Sequence, residues 1–171
     1  LDLTQTRLGG GIPVRPSPGD LTAIVWAVVE EIETAHPDRW IRFEAPLSIP
    51  GQWDAGRIAR VVSNLIGNAL QHGRHDGAVK VGLHPEGGEA VLEVENEGPR
   101  IPPELLPTLF EAFRRGARGP AGPKGLGLGL FITHETVVAH GGSIEVESSE
   151  EGRTVFRVRL PRGCEESGRS G

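Results

Sequence analysis

The spacing of apolar residues in the middle of the chain constrains its fold more than any other feature. Behind Asp54, which can cap a helix, apolar side chains recur at helical intervals as far as Gly73. Over residues 79–83 and 90–95 they alternate with polar residues instead, which predicts two strands. The intervening segment 85–88 contains proline and glycine, so we expect these strands to form a hairpin. The pattern therefore predicts one long helix followed by a β-hairpin.

The same reasoning predicts the other elements. Asp20 can cap a helix that ends at Pro37, residues 40–44 alternate as a strand, and we expect 49–53 to pair with that strand across a proline-bounded turn. The later elements are a loop at 96–103, a short helix at 105–113, a basic and glycine-rich mobile loop at 114–124, a helix from Gly125 to Gly141, and strands at 143–147 and 154–160.

The composition is that of one globular domain. Hydrophobic residues make up 37% of the 171 residues and charged residues 24%, a mixture too apolar for a disordered chain. No apolar run approaches the roughly 20 residues of a membrane-spanning helix. The net charge of -5 argues against a nucleic-acid binder, so any phosphate ligand must be held by local groups. The single cysteine, Cys164, excludes an internal disulfide and suits a reducing, cytoplasmic setting.

A run of alternating glycines is the first candidate site. Gly125, Gly127 and Gly129 leave backbone N–H groups free to approach phosphate oxygens, and the helix that follows adds a positive dipole end. The run lacks the Gly-Lys-Ser/Thr of a Walker loop, and no strand leads directly into it as in a dinucleotide fingerprint. A flexible hinge in front of a helix is the alternative interpretation.

Two amides on the long helix form the second candidate site. Asn64 and Asn68 are four residues apart and therefore neighbours on one face of an otherwise apolar helix. Buried amides need polar partners, and their oxygens are ligands that Mg²⁺ accepts beside phosphate and water. Hydrogen bonds to backbone groups are the alternative for either residue alone.

At this point the chain resembles a known family. The segments Asn64-x-x-x-Asn68-Ala, Asn96-x-Gly98-x-x-Ile101-Pro102, Leu109-Phe110-x-x-Phe113 and Gly125-Leu-Gly-Leu-Gly-Leu130 occur in the order of the N box, first glycine box, F box and second glycine box of the ATP-binding domain of sensor histidine kinases. This domain shares a wider family with DNA gyrase, MutL proteins and heat-shock chaperones. The likeness runs from about Asp20 to Leu160, and the Ala139-His-Gly-Gly142 segment also resembles these kinases.

The resemblance implies an α/β (α+β) two-layer sandwich: a mixed, mostly antiparallel sheet of about five strands on a layer of three helices, with a mobile ATP lid. ATP and Mg²⁺ would bind between the N-box helix and the lid. Asn64 and Asn68 would be catalytic, and Asn68 would ligate the metal. The residues implied to bind the nucleotide are Asn64, Asn68, His72, Asn96, Gly98, Ile101, Phe113, Gly125, Leu126, Gly127, Leu128, Gly129 and Leu130.

Individual roles also follow from the resemblance. His72 would lie against adenine, for which a plain surface position is the alternative, and Gly98 would let the backbone approach the base. Ile101 would pack near the base, while Phe110 and Phe113 would anchor the lid or simply belong to the core. Basic residues of the lid would offset phosphate charge, with a solvated loop as the alternative; they are Arg114, Arg115, Arg118 and Lys124.

Two residues depart from the family pattern. Asn96 stands where the family usually has the aspartate that accepts the adenine amino group, and Arg100 stands where it usually has glycine. An amide can still accept from that amino group and donate to the adjacent ring nitrogen, so we expect adenine to be preferred.

Asn64 bears on the reaction. The ATP-hydrolysing relatives carry a glutamate at this spacing that activates water, whereas an amide cannot act as a general base. We therefore expect slow hydrolysis, and transfer of the γ-phosphoryl group to a docked histidine, which needs mainly positioning and charge neutralisation. His134-Glu135 has the order of an acceptor motif but lies in the predicted helix of the ATP domain, so we expect no phosphorylation there.

The sequence also predicts how the chain is divided into domains. The first residue is Leu1 rather than methionine, so we expect a piece of a longer protein. Residues 1–19 would be the end of a dimerisation helix and a linker, 20–161 the ATP-binding domain, and 162–171 a disordered tail. The partners would be the dimerisation and phospho-acceptor helices of the parent protein and a downstream response-regulator receiver domain. The fragment alone would be monomeric, and its parent either soluble or membrane-anchored.

Two other functions remain open at this stage. A nucleotide-binding interaction module, degenerate in catalysis because of Asn96 and Arg100, is the main alternative, and a gyrase-type ATPase clamp is the second.

Overall fold

A computed structural model describes residues 12–111 and 123–163, with side chains of the last helix described from Gly129 onward. The strands are β1 Ser17–Asp20, β2 Ile41–Glu44, β3 Pro50–Trp53, β4 Val79–Glu86, β5 Glu89–Glu97, β6 Ser143–Ser148 and β7 Arg153–Pro161. The α-helices are α1 Leu21–Ala35, α2 Ala55–His72 and α3 Pro123–Ala139, and a 3₁₀ helix spans Pro103–Thr108. Of the helices that the structure describes, none has the length and hydropathy that a membrane crossing requires.

One mixed sheet organises the domain. Its five strands lie in the order β2-β4-β5-β7-β6, with β2 and β4 parallel and every other pair antiparallel. The three α-helices contribute buried apolar side chains to a common core with one face of this sheet. The predicted two-layer sandwich, with about five strands and three helices, is confirmed. The predicted lid, 114–124, lies almost wholly outside the described residues.

Helix α2 is the central element of the helical layer. The seven apolar positions that predicted its buried face are all buried: Ile58, Val61, Val62, Leu65, Ile66, Ala69 and Leu70. Asp54 caps the helix by accepting a hydrogen bond from the backbone N–H of Arg57 at 3.1 Å. At the far end of α3, His140 Nε2 accepts from the backbone N–H of Asp54 at 3.3 Å, so the end of one helix is tied to the start of the other.

The predicted pairing of 49–53 with 40–44 is wrong. Strand β3 pairs with β1 in a separate two-stranded sheet, while β2 joins the main sheet beside β4. Asp20 explains the choice, because its carboxylate accepts from the backbone N–H groups of both Thr22 and Ile49, at 3.1 and 2.8 Å. The segment 17–20 resembled a linker because of its proline and glycine, which an edge strand nevertheless tolerates.

Both ends of the folded part differ slightly from the predicted boundaries. Strand β1 begins at Ser17, inside the predicted linker. Arg162, assigned to the tail, donates its backbone N–H to Gly88 and accepts from Gln52, at 2.9 and 2.8 Å. The assignments of 1–11 and 164–171 lie outside the described residues and stay predictions.

Two further elements were predicted with different limits. The hairpin strands extend through Pro85 to a tight turn in which Gly87 has a φ of +63°. The short helix predicted at 105–113 is a 3₁₀ helix that ends at Thr108, with Pro107 inside it. Proline lacks the backbone N–H that a longer α-helix would need at that position.

Candidate functional site

Three polar side chains lie in a row across adjacent strands at one end of the sheet, on the side that faces the core. In the register of β5, β7 and β6, Asn96 lies opposite Thr154 and Thr154 lies opposite Ser148. Directly opposite residues of antiparallel strands share a face. Two residues back, the corresponding row is apolar, with Val94, Phe156 and Val146. Asn96 is 6% exposed and Thr154 4% exposed, so the sheet brings buried polar groups to one edge of its core.

A pocket of about 220 Å³ opens beside this polar row. Asn68 and His72 reach it from the last turns of α2, Asn96 and Thr154 from the sheet, and Ile101 from the loop after β5. Its remaining lining is mostly apolar and comprises Pro99, Arg100, Pro102, Leu105, Leu109, Leu130 and Phe156. An apolar slot with a few convergent polar groups is typical of a site for a flat, partly polar ring.

A more polar cavity of about 260 Å³ adjoins the pocket. It lies between α2 and α3, where it is lined by Ser63, Asn64, Gly67, Asn68, Gln71, Gly129 and Leu130. Asn68 and Leu130 line both spaces, so an apolar pocket and a more polar cavity lie next to each other.

Asn68 occupies the junction of the two parts. Its Oδ1 atom is buried and has no hydrogen-bond partner among the described residues. A buried oxygen without a partner costs stability unless something binds to it. Because an amide oxygen is a hard ligand, the donor chemistry at this position fits a cation such as Mg²⁺.

Asn64 faces α3. Its Nδ2 donates to Thr133 Oγ1 at 3.2 Å and, more weakly, to the carbonyl oxygen of Gly129 at 3.5 Å. These hydrogen bonds join α2 to α3 at Gly129 and Thr133. The Asn64 side chain also lines the polar cavity.

His72 lies at the rim of the pocket, one turn beyond Asn68. The residue is exposed at this position. Partial burial lowers the pKa of His72 below its ordinary value, because burial disfavours the charged form. A neutral imidazole in this position can lie against an apolar ring.

Gly98 directly follows β5 and lies close to the end of α2. Gly98 is not among the residues that line the pocket. A Cβ at this position would lie 2.7 Å from the carbonyl oxygen of His72 and 3.0 Å from the Cα of Gly73. The absence of a side chain therefore lets the end of β5 pass close to the end of α2, and the expected approach of this backbone to a base stays a prediction.

The loop after Gly98 carries Arg100 and Ile101. Arg100 Nη1 lies 3.4 Å from Glu150 Oε2, while the side chain lines the pocket. The arginine found where the family has glycine therefore forms one wall of the pocket and is tied to the β6–β7 turn. Ile101 lines the pocket as expected, and its backbone N–H donates to Ser148 Oγ at 2.9 Å.

Phe110 lies behind the pocket wall. Its ring stacks on His134 of α3, with centroids 5.6 Å apart, and meets Phe156 edge-on at 6.2 Å. His134 Nδ1 also lies 3.3 Å from Glu135 Oε2. The neighbouring Phe113, implied to anchor the lid, lies outside the described residues, as do Arg114, Arg115 and Arg118.

The second glycine box lies within α3. Gly125, Leu126, Gly127 and Leu128 belong to the first turns of this helix, and nothing is described of their side chains or of Lys124. Gly129 and Leu130 line the polar cavity, and their binding of a nucleotide stays a prediction.

Sequence reasoning missed Thr154 and Leu109 as pocket residues. The signal for Thr154 was available, because it interrupts the apolar alternation of β7 at the same end of the sheet where Asn96 interrupts that of β5. Leu109 belongs to the F-box segment, but nothing in its spacing indicated that it lines the pocket.

Comparisons with known proteins identify the family of this chain. Residues 53–163 match the family described as histidine kinase-, DNA gyrase B-, and HSP90-like ATPase. The sensor histidine kinase TrcS of Mycobacterium tuberculosis is 38% identical over 167 residues, covering 93% of this chain and 32% of TrcS. The chain thus spans about a third of the length of this relative.

Solved structures share the fold. The mycobacterial sensor histidine kinase MprB has a TM-score of 0.74 at 26% identity, covering 87% of this chain and 99% of that one. Full-length ShkA in complex with AMPPNP has a TM-score of 0.76 at 25% identity, covering 95% of this chain and 35% of that one. The chain therefore belongs to the histidine kinase-, DNA gyrase B- and HSP90-like ATPase family, as an ATP-binding catalytic domain of the sensor histidine kinase kind.

Proposed function

We propose that this domain binds ATP with Mg²⁺ and transfers the γ-phosphoryl group to a histidine on a preceding segment of its parent protein. That histidine would pass the group to an aspartate of a response-regulator receiver domain. The domain would act in the cytoplasm, where ATP is available. The proposal rests on the site described above and on relatives that are sensor histidine kinases several times longer than this chain.

One observation carries the proposal. The unpartnered Oδ1 of Asn68 lies at the junction between an apolar pocket suited to a base and a polar cavity suited to phosphates. In a magnesium nucleotide the base is followed by the sugar and then by the phosphates, whose oxygens carry the metal. A fold neighbour, ShkA, binds the adenine nucleotide AMPPNP.

The residues of the site would have different roles in binding the nucleotide. Mg²⁺ would supply charge neutralisation for the phosphates, with Asn68 as its protein ligand and phosphate and water oxygens as the others. Asn96, Thr154 and Ile101 would hold the base, and Leu130 would separate it from the polar cavity. Asn64 would keep α2 and α3 at a fixed distance across the phosphates through Thr133 and Gly129.

The amide of Asn64 favours transfer over hydrolysis. A hydrolytic clamp of the gyrase type needs a general base to activate water, and an amide has no basic site for this role. Transfer to an imidazole needs the acceptor to be positioned in line with the leaving group, which a docked helix can provide.

A nucleotide-binding interaction module is the second candidate. It is favoured by Asn96 and Arg100, the two residues that depart from the family pattern at the base end of the pocket. This candidate shares ATP binding with the first but predicts no phosphoryl transfer from any form of the protein.

Calorimetric titration with ATP tests the binding step. Wild type should bind ATP with Mg²⁺ and much more weakly with a chelator present, because the metal offsets phosphate charge next to a protein of net charge -5. Asn68→Ala should lower the affinity in Mg²⁺ by roughly tenfold, the size expected for one lost ligand bond of about 1.4 kcal/mol. Arg60→Ala, an exposed change on the same helix, serves as the control. Equal affinities of wild type and Asn68→Ala would remove Asn68 from the site.

Labelled ATP tests the transfer step. This fragment should remain unlabelled, because we place the acceptor histidine outside residues 1–171, whereas a longer protein that restores the upstream segment should acquire acid-labile phosphate. Label on His134 would show that the acceptor was misplaced. Binding without label in the longer protein would favour the interaction module.

A further inference from the structure

The Ala139-His-Gly-Gly142 segment closes α3 in a tight turn. The backbone N–H groups of Gly141 and Gly142 both donate back into the last turn of the helix at 2.9 Å. Gly141 has a φ of +84°, which favours glycine, and a Cβ on Gly142 would overlap the carbonyl oxygen of Arg159 on β7. The two glycines thus hold the end of α3 against the sheet.

The ring of His140 joins the end of α3 to the start of α2. Its Nδ1 lies 3.1 Å from the carbonyl oxygen of Thr136, and its Nε2 lies 3.3 Å from the backbone nitrogen of Asp54. A carbonyl oxygen can only accept a hydrogen bond, and a backbone N–H can only donate one. Both partners therefore require the same neutral ring, with its hydrogen on Nδ1 and its lone pair on Nε2.

Asp54 connects this contact to α2 and to the segment that enters the domain. One of its carboxylate oxygens accepts from the backbone N–H of Arg57 at 3.1 Å and thereby caps α2. The other accepts from the backbone N–H of Arg15 at 2.8 Å. Because Asp54 is held from both sides, its backbone N–H is a fixed point to which His140 attaches the end of α3. A substitution of His140 leaves both carboxylate contacts in place.

A second contact lies further along the same pair of helices. Asn64 of α2 donates to Thr133 of α3 at 3.2 Å. From Asp54 to Asn64 the chain advances along α2, whereas from His140 to Thr133 it goes back along α3, so the two helices run antiparallel. Contacts at two levels of the pair define how far each helix is displaced along the other.

The polar cavity lies beyond the second contact. Asn68 lines it from α2, and Gly129 and Leu130 line it from α3. A helix moves nearly as a rigid body, so a displacement at the His140 end of α3 is carried to the cavity end. The width and shape of the cavity therefore depend on how the far end of α3 is attached.

Apolar packing alone constrains the position of α3 weakly. Among the residues of this helix whose side chains are described, the buried ones are Leu130, Thr133, Thr136 and Val137, and two of these four are threonines. The glycines of the second glycine box, at the start of the helix, have no side chains at all. Small side chains form shallow ridges, which resist sliding along a neighbouring helix less than large apolar ones do. Polar contacts such as that of His140 therefore contribute to the register of the pair.

We propose that His140 is a positioning residue for the phosphate end of the nucleotide site: by joining the end of α3 to the start of α2, its ring sets where Gly129 and Leu130 lie relative to Asn68 across the polar cavity. The inference rests on the proposed function, since it assigns a further residue to the same binding site. His140 itself lines neither the pocket nor the cavity. Its effect should be confined to the part of the nucleotide that lies between the two helices, and binding of the base should not depend on it.

The test compares substitutions that replace one ring nitrogen or neither. His140→Phe keeps a ring without nitrogens, His140→Asn can replace Nδ1 only, and His140→Gln can place an acceptor near the position of Nε2. In calorimetric titrations with Mg²⁺, ATP affinity should fall roughly threefold to tenfold in His140→Phe and His140→Asn, the effect of one lost hydrogen bond. His140→Gln should stay near wild type. His36→Phe is the matched control, because the exposed His36 follows α1 as His140 follows α3.

Adenosine, which has the base and the sugar but no phosphate, separates positioning from a general loss of stability. Its affinity, followed by amide chemical shifts because they report weak binding, should be the same in wild type and in every variant. Thermal melting confirms that each variant is folded. If His140→Phe weakens ATP and adenosine by the same factor, or leaves ATP affinity unchanged, His140 only supports the fold and the inference is wrong.

The glutamine variant gives an independent check. If His140→Gln loses as much ATP affinity as His140→Phe, the acceptor for the Asp54 N–H is not what matters, and the inference is also overturned. Each of these results leaves the proposed function intact. A wild type that binds no ATP in the presence of Mg²⁺ contradicts the proposed function itself.

Discussion

Asn96 places an amide at the buried end of the pocket, where it lies among groups from both layers of the domain. It is opposite Thr154 in the sheet and next to Gly73 at the end of α2. Its side chain lines the pocket, where its donor and acceptor can face a bound base. A residue that differs from the family pattern thus becomes the point at which base selectivity can be tested.

Substitutions at Asn96 should separate the acceptor from the amide. Asn96→Leu removes both hydrogen-bonding groups and should lower ATP affinity roughly tenfold to a hundredfold, about 1–3 kcal/mol. Asn96→Asp keeps an acceptor for the adenine amino group and should retain ATP binding. Wild type should prefer ATP to GTP. Calorimetric titration checks all three, and unchanged ATP affinity in Asn96→Leu would refute the assignment of the base to this end of the pocket.

His72 predicts a pH dependence of stability. Its pKa is lowered from 6.5 by partial burial. Well above that value the ring is neutral in both folded and unfolded chains and contributes nothing. As the pH falls from about 6.5 through the lowered pKa, the unfolded chain binds a proton that the folded chain resists, so the folded state loses stability.

Thermal unfolding between about pH 7.5 and pH 5 measures this effect. His72→Gln should lose less melting temperature over that range than wild type, while His84→Gln, an exposed change on β4, should behave as wild type. A melting curve of His72→Gln that falls as steeply as that of wild type would contradict the assignment.

At the scale of elements, apolar spacing was sufficient wherever one element packs against one surface. Helix α2 was predicted down to its buried positions, and the hairpin of β4 and β5 was recognised from its alternation. The pairing of segments that are distant in the chain could not be predicted from apolar spacing. The attachment of β3 to β1 depends on one carboxylate, Asp20, that accepts from two backbone N–H groups 27 residues apart in the chain, Thr22 and Ile49. No local pattern carries that information.

The sequence also predicted only part of the site: residues within one motif were found, and residues brought together from distant strands were not. Asn68, His72 and Ile101 were predicted because they belong to ordered motifs, and the structure brings them to one pocket. Thr154 was missed, because the break in alternation that it makes in β7 points to the site only when the register of β7 with β5 places it opposite Asn96. For Gly98 the structure adds a close contact with the end of α2 that the sequence did not predict.

Gly98→Ala should therefore act through the junction of β5 and α2. The new Cβ would lie 2.7 Å from a backbone oxygen that cannot move without disturbing the helix end. We expect a loss of roughly 1–3 kcal/mol in the free energy of unfolding, as for overpacked interiors, and weaker ATP binding because His72 and the pocket loop are displaced. Chemical denaturation measures the first effect and titration the second.

Gly82→Ala is the matched control for this prediction. Gly82 lies in the main sheet, on β4, and no atom beyond its chain neighbours lies within 4 Å of the position that its Cβ would take. Its stability should stay near that of wild type. Equal stability of Gly98→Ala and Gly82→Ala would show that the junction is not tightly packed.

At the scale of the whole molecule, the two faces of the main sheet carry different kinds of side chain. The outer face carries paired charges, among them Arg157, which contacts Glu93 at 2.6 Å and Glu145 at 3.3 Å. These contacts raise the pKa of the arginine and leave its charge balanced by acids. The inner face is apolar until the polar row at its end, where it meets the last turns of α2. The nucleotide should therefore perturb one end of the inner face and leave the outer face unchanged.

Amide chemical shifts during a titration with Mg²⁺ and ATP test this central claim most directly. We predict large, saturable changes at Asn68, His72, Asn96, Ile101 and Thr154, and none at Glu93, Glu145 and Arg157 on the outer face. The changes should be strongly reduced in Asn68→Ala at the same nucleotide concentration. Saturable changes confined to the outer face, or no changes at the five pocket positions, would contradict the account of this domain as a magnesium-dependent ATP-binding domain.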